Sequence, residues 1–398
     1  MDRLLLPEKA PEFGMRIRLV SVFISLVLLA CAPPAALAQA FETKAKQVYL
    51  LDAETGTVLF AKDENTPVPP ASLAKLMTME VVFDAIRRNE LTLDTEFPVS
   101  EHAWRTGGAP SGTSTMFAAL KSRVRVADLI QGVTVQLAND ACIILAEGMN
   151  GSEEAFAKRM TERARELGFS ASVFHNATGL PDPKNIVTMR DMALLARHIQ
   201  TSYPEFFKYY SQSEFEWNKI LQRNRTPLLS ANIGVDGFAT GFAEGFGYAM
   251  VATMQRDGRR VFLALGGLAS DKERIEETRK ILDWSMTAFE RKRLFEAGET
   301  VGEASVYGGA VSHVQLITRD AVDVLVPVDN PERLSAKVIY RWPLAMPVEA
   351  GLKAGTLKIW SGERLLREVP VETAAAVGEG SLTSRAADAL QELLFFWL

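Results

Sequence analysis

The spacing of apolar and polar positions changes period along the chain, and the changes divide it. Gln47–Asp52 and residues 57–62 are apolar-rich runs either side of Ala53-Glu54-Thr55-Gly56, which predicts a β-hairpin. Across residues 73–86 apolar side chains occupy nearly every face, the pattern of a helix buried all round. Residues 101–230 read as mostly helical, with segments at Val126–Gln136, 139–149, 153–167 and 190–201. Strand signals return at 247–255 and 259–267 around an Asp257-Gly258 turn, and an amphipathic helix is expected from Asp271 to about Arg293. Strands at both ends of a segment, with helices between, imply a sheet whose parts are distant in sequence. The expected fold class is therefore an α/β (α+β) lobe with an inserted helical lobe and a cleft between them.

Beyond Gly298 short alternating runs at Val322–Pro327, 335–341, 355–360 and 365–370 predict a small all-β domain. Residues 381–398 return to helical spacing, with Leu382, Ala386, Leu390, Leu393 and Trp397 on one face opposite Arg385, Asp388 and Glu392. Two readings of this tail stand: an amphipathic anchor lying on the inner-membrane surface, which Phe395, Phe396 and Trp397 favour, or a helix packed on the β-domain.

At the other end, Arg16 and Arg18 precede an apolar run, Leu19 to Leu29, and an Ala36-Leu37-Ala38 cleavage site. That is a signal peptide over residues 1–38, with Met15 as the start and a run short for a membrane span. Leu28-Leu29-Ala30-Cys31 loosely resembles a lipoprotein box. The expected order is thus a signal peptide to 38, a catalytic domain over 41–296, a β-sandwich over 297–378 and the helix over 379–398. Such a chain is exported, to the periplasm. Its 398 residues are 47% hydrophobic and 23% charged, and the net charge of -5 comes with no basic block, which argues against nucleic acid as a partner. Once Cys31 is cleaved away, Cys142 is the remaining cysteine, expected as a buried small hydrophobe.

Candidate chemistry sits in Pro70-Ala71-Ser72-Leu73-Ala74-Lys75. Residues three apart share a helix face, so the Lys75 amine can reach the Ser72 oxygen and remove its proton. A first-turn position also gives developing negative charge unpaired N–H groups and the helix dipole. This is acyl-transfer chemistry without histidine; no Ser-His-Asp constellation and no metal-ligand spacing stands out, so neither metal nor cofactor is expected.

With this pair at a helix mouth, the chain resembles the low-molecular-mass penicillin-binding proteins, the serine-type D-alanyl-D-alanine carboxypeptidases of the bacterial cell wall. The likeness runs from about Ala45 to the C-terminus through residues 70–78, 101–108, 112–117, 139–142, 175–182 (HNATGLPD) and 222–229 (QRNRTPLL). It implies a catalytic domain like the penicillin-binding proteins and serine β-lactamases. It also implies Ser72 as nucleophile, Lys75 as general base, and the backbone N–H groups of Ser72 and Phe242 as oxyanion donors. The substrate implied is a peptidoglycan stem peptide ending in D-Ala-D-Ala, with β-lactams as covalent acylating ligands.

Two of the family's motifs are degenerate. Ser-x-Asn reads Leu137-Ala138-Asn139, Lys-Thr-Gly reads Ala239-Thr240-Gly241, and a threonine usual two residues later is Ala243. The resemblance makes these the groups that relay a proton to the leaving amine and face the substrate's terminal carboxylate. What remains is Ser72, Lys75, Asn139, Thr240 and Gly241. The alternatives are an impaired carboxypeptidase and an inactive homologue that binds wall peptides or a partner protein. A β-lactamase fits less well, because no carboxylate (Glu147 and Glu244 included) stands out to activate the deacylating water.

Overall fold

The computed structural model describes residues 41–329 and 333–382. The signal peptide, Cys31 and residues 383–398 of the C-terminal helix lie outside them. Five antiparallel strands form the central sheet: β1 (Gln47–Asp52), β2 (Val58–Lys62), β3 (Val235–Ala243), β4 (Gly247–Arg256) and β5 (Arg259–Leu268), in the order β2-β1-β5-β4-β3. Gln47 pairs with Gly266, so the sheet does join the two ends of the segment. The Asp257-Gly258 turn has positive φ at both residues, as a tight hairpin with the right twist requires.

Between β2 and β3 lie α1 (Lys75–Arg87), α2 (Val126–Gln136), α3 (Asn139–Asn150), α4 (Glu153–Glu166) and α5 (Met189–Ser202). Helix α1 is buried on all sides from Lys75 to Ala85, as its unpatterned apolar run predicts. Helices α4 and α5 begin at Ser152 and Thr188, whose hydroxyls accept from the backbone N–H three residues on.

Two expectations are corrected. The stretch to residue 230 is not helical throughout: Glu214–Trp217 and Ile220–Arg223 form a hairpin, because Asn218 and Lys219 both take positive φ, the conformation of a type I′ turn. And the helix expected to reach Arg293 is α6, Asp271–Thr287. Phe289–Phe295 is instead a strand paired antiparallel with Val322–Pro327. Arg293 bonds Asp323 at 2.6 Å and Leu294 and Phe295 pack on the β-domain core, so cross-strand pairing outweighs the helical spacing.

Glu96–Pro98 and Arg123–Arg125 pair as a short separate ribbon, and six further strands make a sheet that includes Thr300–Tyr307 and His313–Ile317, neither foreseen, and extends two that were, to Lys353–Ser361 and Arg364–Thr373. This all-β unit is tied to the edge of the central sheet. Leu325 N donates to Thr57 Oγ1 at 3.2 Å, Arg364 donates to the Leu59 carbonyl at 2.8 Å, and Arg291 pairs with Glu54. Among the described residues no helix is long and apolar enough to cross a membrane.

Candidate active site

Pro69 and Pro70 lead into a 3₁₀ turn, Ala71–Ala74, that runs directly into α1. Ser72 lies in that turn, half-buried, and Lys75 is the first residue of the α-helix. The Lys75 side chain is 1% exposed. Its Nζ is 3.2 Å from Ser72 Oγ and donates to the Thr178 carbonyl at 2.5 Å. Burial depresses the amine's pKa, partly offset by the Glu153 carboxylate, because an ammonium loses its hydration in this position. A neutral amine there has a lone pair to take a hydroxyl proton.

The Thr178 carbonyl is held close by glycine. At Gly179, with φ +77°, a Cβ would lie 1.7 Å from the Ala71 carbonyl oxygen, so the loop can press on the serine turn only without a side chain. Strand β3 approaches from the other side: a Cβ on Gly241 would sit 3.1 Å from Ala71 Cβ and 3.4 Å from Ser72 N. The serine turn is therefore clamped between a loop and a sheet edge. Along β3, Ala239 and Thr240 are 1% and 8% exposed, whereas Phe242 is 56% exposed with its ring 4.7 Å from that of Tyr248. Ala243, half-buried, ends the strand.

Asn139 opens α3, which packs against α1. Its N–H donates to the Ser114 carbonyl at 2.7 Å and its Nδ2 to Thr113 Oγ1 at 2.9 Å, while the buried Oδ1 has no partner. Leu137 caps α2 with φ +54° and is 5% exposed, a member of the main core. Cys142 is fully buried as expected, and burial pushes its thiol up to about 12. It is not an ionised nucleophile.

Three contributors went unread in the sequence. Thr178 acts through its main chain, and its one signal was the HNATGLPD segment. Asp140 accepts from Thr115 Oγ1 at 2.6 Å and from the N–H groups of Met116 and Ala118 at 2.9 and 3.1 Å, fixing the loop beside Asn139; burial raises its pKa. Arg274, in the first turn of α6, lines a cavity of about 640 Å³ together with Thr240, Gln136, Gln222, Arg223 and Arg225.

Comparison with known proteins agrees with this geometry. Residues 34–267 match the family described as D-alanyl-D-alanine carboxypeptidase, and residues 289–379 match the C-terminal domain of penicillin-binding protein 5. The second match starts at the strand Phe289–Phe295. D-alanyl-D-alanine carboxypeptidase DacC of Escherichia coli (strain K12) is 34% identical over 351 residues, 87% of this chain and 88% of its own. Penicillin binding protein 5 from Haemophilus influenzae superposes with a TM-score of 0.71 at 31% identity, covering 85% of this chain and 99% of that one. Penicillin-binding protein D2 from Listeria monocytogenes, in its cefotaxime-bound form, gives 0.56 at 26% identity over 62% of this chain and 99% of its own. With a match over more than half its length and a relative of this identity along most of it, the chain belongs to the D-alanyl-D-alanine carboxypeptidase family.

Proposed function

We propose that this protein hydrolyses the terminal D-Ala-D-Ala bond of peptidoglycan stem peptides through an acyl-serine intermediate, at a reduced rate, outside the inner membrane. The observation that carries the proposal is the buried, pKa-depressed Lys75 amine 3.2 Å from Ser72 Oγ.

Lys75 takes the Ser72 proton as Oγ attacks the carbonyl carbon of the penultimate D-alanine. The oxyanion forms against the backbone N–H groups of Ser72 and Phe242, which no side-chain change removes. The C–N bond breaks, the leaving D-alanine amine receives a proton, and a water molecule then attacks the acyl-serine, releasing the shortened peptide with its new carboxylate. Asn139 offers the unpartnered Oδ1 to a ligand N–H, and Thr240 and Gly241 line the edge along which the peptide lies. Leu137, Ala239 and Ala243 lack the hydroxyl, cation and hydroxyl that the family uses at these positions. An unassisted leaving group costs about 10²–10⁴-fold in rate. β-Lactams, which share the acyl-transfer step but keep their leaving group tethered, acylate Ser72. The expected signal peptide and C-terminal amphipathic helix support a periplasmic protein resting on the inner-membrane surface.

The test is covalent labelling of the purified mature protein by a fluorescent penicillin. Label on the wild type and none on Ser72→Ala supports the proposal. A folded wild type that takes no label sinks it, and favours the alternative that the lost groups at 137 and 239 suggest, a homologue that binds wall peptides without turnover.

A further inference from the structure

A second cavity, also of about 640 Å³, lies where the β-domain meets the edge of the central sheet, and it shares no lining residue with the one beside Thr240. None of the residues placed in the catalytic machinery borders it. Its size is that of an ordinary ligand site, about 300–1,000 Å³.

Four arginines converge on it: Arg190 and Arg197 from α5, and Arg364 and Arg367 from the strand Arg364–Thr373. Local structure aims each pair. Residues seven apart are two helical turns apart, so Arg190 and Arg197 share one face of α5, about 10 Å from each other along its axis. Residues three apart on a regular strand face opposite sides, but here Ile359 opposes Arg367 and Trp360 opposes Leu365, which leaves Leu366 as a bulge. The extra residue returns Arg364 and Arg367 to one side.

The cations are held by neutral acceptors. Arg197 donates from Nε to the Ala53 carbonyl at 3.2 Å, Arg367 donates to the Asp323 carbonyl, and Arg190 lies by the Tyr49 hydroxyl. Carboxylates bordering the cavity are engaged elsewhere: Glu54 with Arg291, Glu368 with Lys358 at 2.6 Å, and Glu64 with Asn65 at 2.9 Å. Burial pushes the Arg367 guanidinium below its ordinary pKa; Asp323 opposes this, and the neighbouring Arg197 charge adds to it. Like charges gathered at half-buried positions are costly unless an anion joins them.

The spread of the lining selects the kind of anion. The arginines stand on two elements, with carboxylates and the apolar Val58, Ala61, Leu194 and Leu365 among them. A compact phosphate would meet one or two guanidiniums and be repelled by the acids. An extended peptide with separated carboxylates can set each against an arginine fork and lay its apolar side chains between. The polymer proposed as substrate carries many such peptides, and each hydrolysis leaves a new free carboxylate.

We propose that this junction cavity binds a second peptidoglycan stem peptide through its carboxylates, holding the enzyme on the wall while the Ser72 groove works on a neighbouring peptide. The identity of the polymer rests on the proposed function; the cavity and its cations do not. A second attachment raises the effective concentration of wall peptides at the groove with no new contact there.

Cosedimentation of full-length mature Ser72→Ala protein with isolated peptidoglycan tests this without turnover. Arg197→Gln together with Arg367→Gln should weaken binding about tenfold, the effect of partly screened charged contacts. Converting the peptidoglycan carboxylates to methylamides should weaken binding of the parent about tenfold and of the double variant far less. Glu363→Gln, an exposed change at the cavity that does not threaten folding, removes a repelling charge and should tighten binding about two- to threefold; a purely structural role for the arginines does not predict that. Inorganic phosphate should displace the protein no better than chloride at equal ionic strength. Unchanged binding by the folded double variant, no tightening in Glu363→Gln, or specific displacement by phosphate overturns the proposal. Penicillin labelling of the wild type with wall binding indifferent to the arginines leaves the acyl-serine reading standing and removes this one. Arginine-dependent wall binding without labelling does the reverse.

Discussion

The rate of Ser72 acylation should rise with pH along a limb set by Lys75, and that limb should lie well below the ordinary lysine range. At its ordinary value of 10.5 an amine is neutral in about one molecule in 3,000 at pH 7. The 1% exposure of Lys75 and its contact with a carbonyl rather than a carboxylate shift that balance toward the neutral base. Each pKa unit of depression makes neutral amine about tenfold more abundant, equivalent to about 1.4 kcal/mol. Stopped-flow labelling by a fluorescent penicillin from pH 5 to 10 should therefore climb about tenfold per unit and then flatten before pH 10. Lys75→Arg, which cannot deprotonate, should lose about 10²–10⁴-fold and its limb. Folding stability follows the same sign. Below 10.5 the unfolded lysine holds a proton that the folded one has shed, so stability rises with pH between the depressed value and 10.5. Urea titrations should show that slope in the wild type and not in Lys75→Met. A limb centred at 10 or above, or a limb that survives Lys75→Arg, refutes the reasoning.

Leu137→Ser with Ala239→Lys should raise D-alanine release from a pentapeptide by roughly 10²-fold, read by a D-alanine assay, because the first restores a proton relay. The same double variant should lose about 2–5 kcal/mol of stability, since Leu137 is 5% exposed in the core. Gly179→Ala, whose Cβ would fall 1.7 Å from the Ala71 carbonyl, should lower the melting temperature and abolish labelling. Gly151→Ala, at a similar φ of +78° with nothing within 4 Å, should cost about 1 kcal/mol and leave labelling intact.

Much of the site was readable because its chemistry is local. Ser72 and Lys75 are one turn apart, and helical geometry alone brings them together. Asn139 was placed by the family resemblance, as the residue left intact in the degenerate motif Leu137-Ala138-Asn139. What escaped depends on long-range packing. Strand β3 is rich in Gly, Ala and Thr and buried on both faces from Phe238 to Gly241, so it shows no alternation to read. Thr178 contributes a carbonyl, which every residue has. Arg274 looks like an ordinary polar residue in a helical first turn until the sheet edge carrying Thr240 is folded beside it. Leu137, read in the sequence as the replacement for the motif serine, is a core side chain, and its φ of +54° ends a helix.

The pairing of β1 with β5 has a consequence for the life of the nascent chain. Gln47 meets Gly266 and Asp52 meets Val261, so the sheet cannot close until nearly all of the catalytic region has been made. Bringing such distant segments together costs about 5 kcal/mol of chain entropy and is slow, and until then the edge of β1 is open to wrong partners. Strand β3, which flanks the serine turn, also arrives late. A half-made polypeptide carries its nucleophile and its base but no groove to present them, and is chemically silent for as long as it is incomplete.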